Sequence, residues 1–75
     1  MNMYPNPAND YVDVQLGVEN AENITLMDMT GKIIQSQSMT NNRIRLDVNG
    51  LGAGVYLVTI QTQEGTKITK RLVIK

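Results

Sequence analysis

Apolar and polar residues alternate along most of this 75-residue chain. A period of two places the apolar side chains on one face of a β-strand, whereas an amphipathic helix needs a period near 3.6. The pattern therefore predicts about seven short strands and no helix. The strands are marked by Met3 and Tyr4; Val12, Val14 and Leu16; Ile24 and Leu26; residues 32–39; Ile44, Leu46 and Val48; Tyr56, Val58 and Ile60; and Leu72 and Ile74.

Turn residues separate these strands at short, regular intervals. Pro5 and Pro7 fix φ and hold the residue before each of them extended, so they should end the first strand. Asp28 can accept bonds at the start of a tight turn and Gly31 can adopt a positive φ, which predicts a hairpin. Further connections are expected at residues 40–42 and 64–65. Regularly spaced turns between strands, with no helix, predict a small antiparallel sandwich or barrel.

Tyr56 sharpens the prediction of the fold. In immunoglobulin-like sandwiches, a tyrosine near the start of a late strand packs inward and its hydroxyl bonds back to upstream backbone, forming a tyrosine corner. The segment Leu51-Gly52-Ala53-Gly54-Val55-Tyr56 places a tyrosine at such a position. We therefore predict an immunoglobulin-like antiparallel β-sandwich in which Gly54 and Tyr56 are structural.

Two positions fit this pattern less well. Lys70 shares a face with Leu72 and Ile74, so either the register shifts at a bulge or Lys70 lies at the rim with its ammonium group in water. We expect the rim. Ile33 and Ile34 are adjacent and cannot both face one core, so one of them should lie at an interface or under a loop.

Composition narrows the classes of function. Seven Lys and Arg balance seven Asp and Glu, so no global charge favours nucleic acid as a partner. The chain has no Cys and no His, which removes the usual nucleophile–base pairs and many metal ligands. Ser36 and Ser38 have no His to activate them. We therefore expect neither an enzyme nor a bound cofactor or metal; loose calcium binding by Asn6, Asn9, Asp10 and Asp13 is the weaker alternative, since their spacing matches no recognised loop.

The ends of the chain suggest a piece of a larger protein. No apolar run approaches the roughly 20 residues that span a bilayer, and the first residues carry no leader pattern. We expect residues 1–75 to form one domain from the C-terminal end of an exported precursor, with Met1 and Asn2 as additions to the natural sequence. The apolar strand pattern continues to the last residue, and a terminal strand stays ordered only when it is tied into a sheet.

Four stretches, taken in order, carry a family resemblance: Tyr4-Pro5-Asn6-Pro7-Ala8, residues 24–32, residues 51–56 and residues 70–75. With them, the chain resembles the type A C-terminal sorting domain of the bacterial type IX secretion system, also called the Por secretion system. The resemblance covers essentially all 75 residues. Each stretch alone is common, but the four in this order and spacing are specific.

The resemblance implies a sandwich appended to secreted enzymes and adhesins of Gram-negative bacteria. It implies that cargo enters the periplasm through an ordinary signal peptide and that outer-membrane components, including a shuttle protein, then recognise the sorting domain. It further implies that a sortase usually cuts upstream of the domain, leaving the cargo at the cell surface or outside the cell. In this scheme the domain is a signal and catalyses nothing.

We expect recognition to centre on the final strand. Backbone groups at a sheet edge pair with little dependence on sequence, while alternate side chains set specificity. The predicted recognition residues are Lys70, Arg71, Leu72, Val73, Ile74 and Lys75, helped by Gly31 and Lys32, with Lys75 placing its ammonium and carboxylate groups at a fixed point. The alternative is a strand that only completes the core, and both can hold. Pro5, Asn6, Pro7 and Asp28 are predicted to be structural, like Gly54 and Tyr56.

An adhesion or carbohydrate-binding module is the main competing interpretation. Sugar sites stack rings on exposed aromatic side chains, and this chain has no Trp, no Phe and three Tyr. Only Tyr4 and Tyr11 remain for such a platform if Tyr56 is inside. Edge strands would also allow a homodimer through strand pairing, although the sequence does not indicate which edge pairs.

Overall fold

The computed structural model describes residues 1–17 and 20–75, and the strands and turns below lie within them. This part of the chain forms strands and turns without a helix. The seven strands are β1 (Asn2–Tyr4), β2 (Tyr11–Gln15), β3 (Ala21–Asp28), β4 (Ile33–Ser38), β5 (Arg43–Asp47), β6 (Gly54–Thr62) and β7 (Lys67–Ile74). All seven strands predicted from the alternating pattern are therefore present.

The strands form two antiparallel sheets. One sheet has three strands in the order β1-β2-β5, and the other has four in the order β4-β3-β6-β7. Within each named pair the neighbouring strands run in opposite directions. The predicted small immunoglobulin-like β-sandwich is confirmed.

The core lies between the two sheets and is filled by the apolar positions that the alternation predicted. Burial of such side chains is the main favourable term in folding, worth roughly 25 cal/mol per Å² of apolar surface. Both sheets contribute fully buried side chains, which are Val12, Val14, Leu16, Ile24, Leu26, Leu46, Val48, Val58, Ile60, Leu72 and Ile74.

Strand register defines two ends of the sandwich. At one end, Asp28 lies opposite Tyr56, which in turn lies opposite Leu72. We call this the Gly31 end, because the β3–β4 turn is there. At the other end, which we call the Asn2 end, Asn2 lies opposite Gln15.

Two further hairpin and loop predictions are confirmed. The β6–β7 hairpin turns at Gly65, whose φ is 90°. Its N–H donates to the carbonyl of Thr62 at 2.9 Å, and the Thr62 hydroxyl accepts from the N–H of Thr66 at 3.1 Å. The connection at residues 40–42 joins β4 to β5, and the side-chain oxygen of Asn42 accepts from the N–H of Ala21 at 3.0 Å.

Side-chain exposure explains Lys70 and the Ile33–Ile34 pair, which fitted the pattern poorly. Lys70 is exposed, and the β6–β7 register runs without a bulge, so Lys70 lies at the rim as predicted. Ile34 packs against the core, whereas Ile33 is 59% exposed. Ile33 is therefore the member of the pair that is available to an interface.

Candidate recognition surface

The final strand, β7, lies at one edge of the four-stranded sheet. Leu72 and Ile74 point into the core and are 0% and 2% exposed. Lys70, Arg71 and Lys75 are exposed, and Val73 is half-buried. The strand therefore completes the core with one face and presents basic side chains to solvent.

The free edge of β7 is partly covered by the segment that connects β1 to β2. The N–H of Ala8 donates to the carbonyl of Val73 at 2.7 Å, and the N–H of Lys75 donates to the carbonyl of Ala8 at 3.0 Å. These bonds form a short parallel bridge between Ala8 and Ile74. Ala8 is buried here, with 1% of its surface exposed, and its small side chain fits against β7.

The side chain of Asn6 extends the same cover. Its Oδ1 accepts from the N–H of Val73 at 3.1 Å, and its Nδ2 donates to the carbonyl of Arg71 at 3.3 Å. We call residues 6–8 the strap. The sequence predicted that Pro5-Asn6-Pro7 ends the first strand, which it does, but not that the strap would bind the last strand.

The β3–β4 turn is organised by the Asp28 carboxylate. Its Oδ1 accepts from the N–H of Thr30 at 2.9 Å, from the hydroxyl of Thr30 at 2.6 Å and from the N–H of Lys32 at 3.0 Å. The hydroxyl bond from Thr30, followed by the backbone bond from Lys32, lowers the pKa of Asp28. Gly31 has a φ of 91°, which side chains with a Cβ rarely adopt. Lys32 is thereby held in an exposed, fixed position.

The turn and the final strand meet at the Gly31 end. Residues 28, 56 and 72 form one row across β3, β6 and β7, and Gly54 lies opposite Ile74. Because neighbouring strands are about 4.8 Å apart, the β3–β4 turn is about 10 Å from the end of β7 at the level of the sheet. Gly31, Lys32 and Lys75 thus belong to one end of the molecule.

Tyr56 anchors the loop at this end. Its hydroxyl donates to the carbonyl of Gly52 at 2.6 Å, while its ring packs half-buried against the core. The predicted tyrosine corner is therefore present. It fixes the loop before β6, in which Gly54 pairs with the end of β7.

Asp13 and Arg45 form an ion pair on the outer face of the three-stranded sheet. The guanidinium donates to both carboxylate oxygens, at 2.7 and 3.0 Å, and lies 4.0 Å from the centre of the Tyr11 ring. The hydrogen bonds from Arg45 lower the pKa of Asp13, and the same bonds raise the pKa of Arg45. Asp13 is thus occupied by a cation of the protein itself, and residues 1–17 and 20–75 contain no cluster of three or more metal-binding side chains.

An open groove of about 610 Å³ lies beside this ion pair. Tyr4, which is 74% exposed, lines it together with Asp13 and Arg45. The other lining residues are Asn2, Val14, Gln15, Asn41, Arg43 and Ile44. Sequence reasoning missed this groove, because the alternation shows that side chains point outward but not which of them become neighbours across strands.

The fold and this surface define a small immunoglobulin-like module with a strapped, basic final strand. Residues 2–75 match the family described as "Secretion system C-terminal sorting domain". The chain belongs to this family. It is therefore a C-terminal signal for type IX secretion, which directs export to the cell surface or the extracellular space.

One relative and two solved structures are similar to this chain. The chain is 28% identical over 74 residues to an endo-acting ulvan lyase of Formosa agariphila, covering 97% of this chain. Its fold is similar to part of PorZ, an essential surface component of the type IX secretion system of Porphyromonas gingivalis, with a TM-score of 0.85, 19% identity and 99% of this chain covered. It is also similar in fold to CopC of Methylosinus trichosporium OB3b, with a TM-score of 0.57 and 18% identity, covering 99% of this chain and 87% of CopC.

The chain spans only a small part of two of these proteins. It covers 14% of the ulvan lyase and 11% of PorZ. The similarity therefore concerns a region of this chain's length and not the remainder of either protein. Within the described ranges, 1–17 and 20–75, the structure contains no helix that could cross a lipid bilayer.

Proposed function

We propose that residues 1–75 are a single sorting domain at the C-terminal end of a larger exported protein. Cargo carrying it passes through the periplasm, and outer-membrane components that include a shuttle protein bind the domain while it is folded. A sortase then cuts upstream of the domain. Family membership over residues 2–75 carries this proposal.

The recognition surface that we propose consists of residues 70–75 together with Gly31 and Lys32. Support comes from their position: register brings the turn and the last strand to one end of the sandwich. The exposed cations Lys32, Arg71 and Lys75 can make charge-assisted contacts, while the buried Leu72 and Ile74 hold the strand rigid.

A reporter fusion tests the secretion function. A fluorescent protein with a signal peptide is joined upstream of this chain and expressed in a bacterium that has a type IX system. We expect the reporter at the cell surface or in the medium, and in the periplasm when the chain is omitted or when the secretion system is inactivated. A reporter that stays in the periplasm with the chain attached would count against the proposal.

The recognition residues need variants that keep the fold. Deleting the last five residues should leave cargo in the periplasm, but it also removes Leu72 and Ile74 from the core. The sharper variants are Arg71→Ala and Lys75→Ala, with Arg43→Ala on the other sheet as the matched control. We expect reduced export for the first two and normal export for the control. Equal export of all three variants would show that Arg71 and Lys75 do not take part in recognition.

The proposed cleavage lies upstream of Pro5-Asn6-Pro7-Ala8 and, because β1 is itself paired with β2, before Asn2 and outside the packed sandwich. The strap and every later strand are tied by backbone bonds, which makes them poor protease substrates. Intact-mass measurement after exposure to the sortase should leave residues 8–75 uncut. A cut within that range would refute the proposed processing site.

We propose that the domain has no catalytic activity of its own. Support comes from the sequence, which lacks His and Cys, and from the pairing of Asp13 with Arg45. Incubation with ester, peptide and glycoside substrates should give no turnover above that of a heat-unfolded sample. Turnover that disappears in Asp13→Asn would contradict this.

Carbohydrate binding is the second candidate function, favoured by one observation. The open groove beside Tyr4 is lined by polar side chains that can hydrogen-bond sugar hydroxyl groups. A glycan array with wild-type protein and Tyr4→Ala tests it. Micromolar binding that is lost in the variant would support this candidate, and the absence of any hit would count against it.

We also propose that the chain self-associates through the edge formed by β4. Ile33 is 59% exposed on this edge strand, and an apolar residue there favours strand pairing between copies. Sedimentation velocity at high protein concentration should detect a dimer that Ile33→Lys abolishes. A dimer that is unchanged by Ile33→Lys would place the contact elsewhere.

A further inference from the structure

The edge of β7 has a covered half and an open half. Along an edge strand, every second residue points its backbone N–H and carbonyl away from the neighbouring strand. The N–H of Val73 and the carbonyls of Arg71 and Val73 face the strap, so the N–H and carbonyl of Thr69 must face the same way. The β6–β7 register is continuous from Gly54 to Gln61, which preserves this alternation.

The open half lies beyond the reach of the strap. Among residues 1–17 and 20–75, no backbone or side-chain hydrogen bond reaches the N–H or carbonyl of Thr69, or the N–H of Arg71, from the outer side. Thr69 uses its hydroxyl to bond Thr59 at 2.9 Å, which leaves its backbone groups free. We call residues 67–71 the open edge.

Charge is concentrated beside the open edge. Four of the seven basic residues, Lys67, Lys70, Arg71 and Lys75, lie in the last nine positions, and no acidic residue follows Glu64. The neighbouring strand β6 contains no charged residue. The edge is therefore strongly basic although the whole chain is neutral.

Lysines on an edge strand have a plain explanation as well. They keep another copy of the same edge from pairing with it, because like charges repel across the new strand pair. The same positive charges favour pairing with an acidic strand. They therefore repel a second copy of this edge and attract an acidic partner at the same time. A strand that is added to this edge should therefore be acidic.

We propose that the open edge is a strand-addition site for a short acidic extended segment of the export machinery. The added strand pairs with residues 67–71 and ends where Asn6 of the strap occupies the edge. Glu or Asp side chains of the segment contact Lys67 and Lys70. The inference rests on the proposed secretion function, and it adds Lys67 and Thr69 to the recognition surface.

A pair of substitutions at Thr69 tests the backbone pairing. Thr69→Val and Thr69→Pro both remove the hydroxyl, but only proline removes the N–H and places a ring on the open edge. In the reporter assay, we expect Thr69→Val to be exported like wild type and Thr69→Pro to be exported about fivefold to tenfold less. Equal export of the two variants would overturn the strand-addition site.

Charge reversal tests the acidic partner and also covers the case in which Thr69→Pro fails to fold. Lys67→Glu and Arg43→Glu change the net charge equally at exposed positions on different sheets. We expect reduced export only for Lys67→Glu, with both variants melting near the wild-type temperature. Normal export of Lys67→Glu would overturn the acidic partner. Failure of the wild-type chain to export the reporter would refute the secretion function itself, so the two failures are distinguishable.

Discussion

Replacement of Tyr56 separates the two contributions of the tyrosine corner to stability. Tyr56→Phe removes only the hydroxyl bond to the Gly52 carbonyl, while Tyr56→Ala also removes the ring that packs on the core. A single hydrogen bond contributes about 1 kcal/mol net. Loss of a large aromatic side chain leaves a cavity and costs about 3 kcal/mol or more.

These costs are large for a domain of this size. At roughly 0.05–0.15 kcal/mol per residue, the whole domain has a free energy of unfolding of about 4–11 kcal/mol. One kcal/mol shifts the melting temperature of such a domain by about 4–8 °C. We therefore expect Tyr56→Phe to lower it by about 4–8 °C and Tyr56→Ala by about 12–24 °C.

Urea unfolding followed by circular dichroism gives the free energies, with Tyr4→Ala as the control. Tyr4 is 74% exposed, so its removal should change the free energy of unfolding by less than about 0.5 kcal/mol. In the reporter assay, Tyr56→Ala should reduce export because a larger fraction of the domain is unfolded, and Tyr56→Phe should keep it. A loss below about 1 kcal/mol in Tyr56→Ala would refute the assignment of the ring to the core.

Three further predictions concern the β3–β4 turn, the Asp13–Arg45 ion pair and the strap. Gly31→Ala should cost about 1–2 kcal/mol in thermal unfolding because its φ is 91°, whereas Gly17→Ala, whose added Cβ meets no atom, should not destabilise the domain; equal losses would contradict this. The lowered pKa values of Asp13 and Asp28 mean that their stabilisation is complete above the ordinary value of 3.8 and is lost as the pH falls below it. The Asp13→Asn, Asp28→Asn double variant should flatten this acid loss in urea unfolding, and an unchanged pH profile would disprove it. Asn6→Ala removes two exposed bonds to β7, so it should cost about 1 kcal/mol and speed hydrogen exchange at the Val73 amide, while unchanged exchange would contradict the strap.

The strands and hairpins could be predicted because their signals are local. Alternation of period two marks each strand, and Asp28 with Gly31 specifies a turn that needs only nearby residues. The tyrosine corner was also predictable, since Tyr56 reaches a carbonyl four residues upstream. The position of Lys70 at the rim followed from the length of its side chain.

The strap and the groove could not be predicted because they depend on distant neighbours. Asn6 bonds to Arg71 and Val73, which lie 65 and 67 positions further along the chain. The contact uses backbone groups that every residue has. The groove depends on the pairing of β1, β2 and β5, which brings Tyr4, Asp13 and Arg45 into one row. Neither the order of strands in a sheet nor its edges are encoded in alternation alone.

Strand register also determines where a cargo would be attached. Asn2 lies beside Gln15 at the end of the sandwich opposite Lys75, and the longest dimension of the domain is 33 Å. A polypeptide joined upstream of β1 thus leaves from the far side of the molecule. Its bulk is kept away from the Gly31 end, where Lys75 and the β3–β4 turn lie, so proteins of unrelated shape can carry the same label without colliding with a receptor bound at that end.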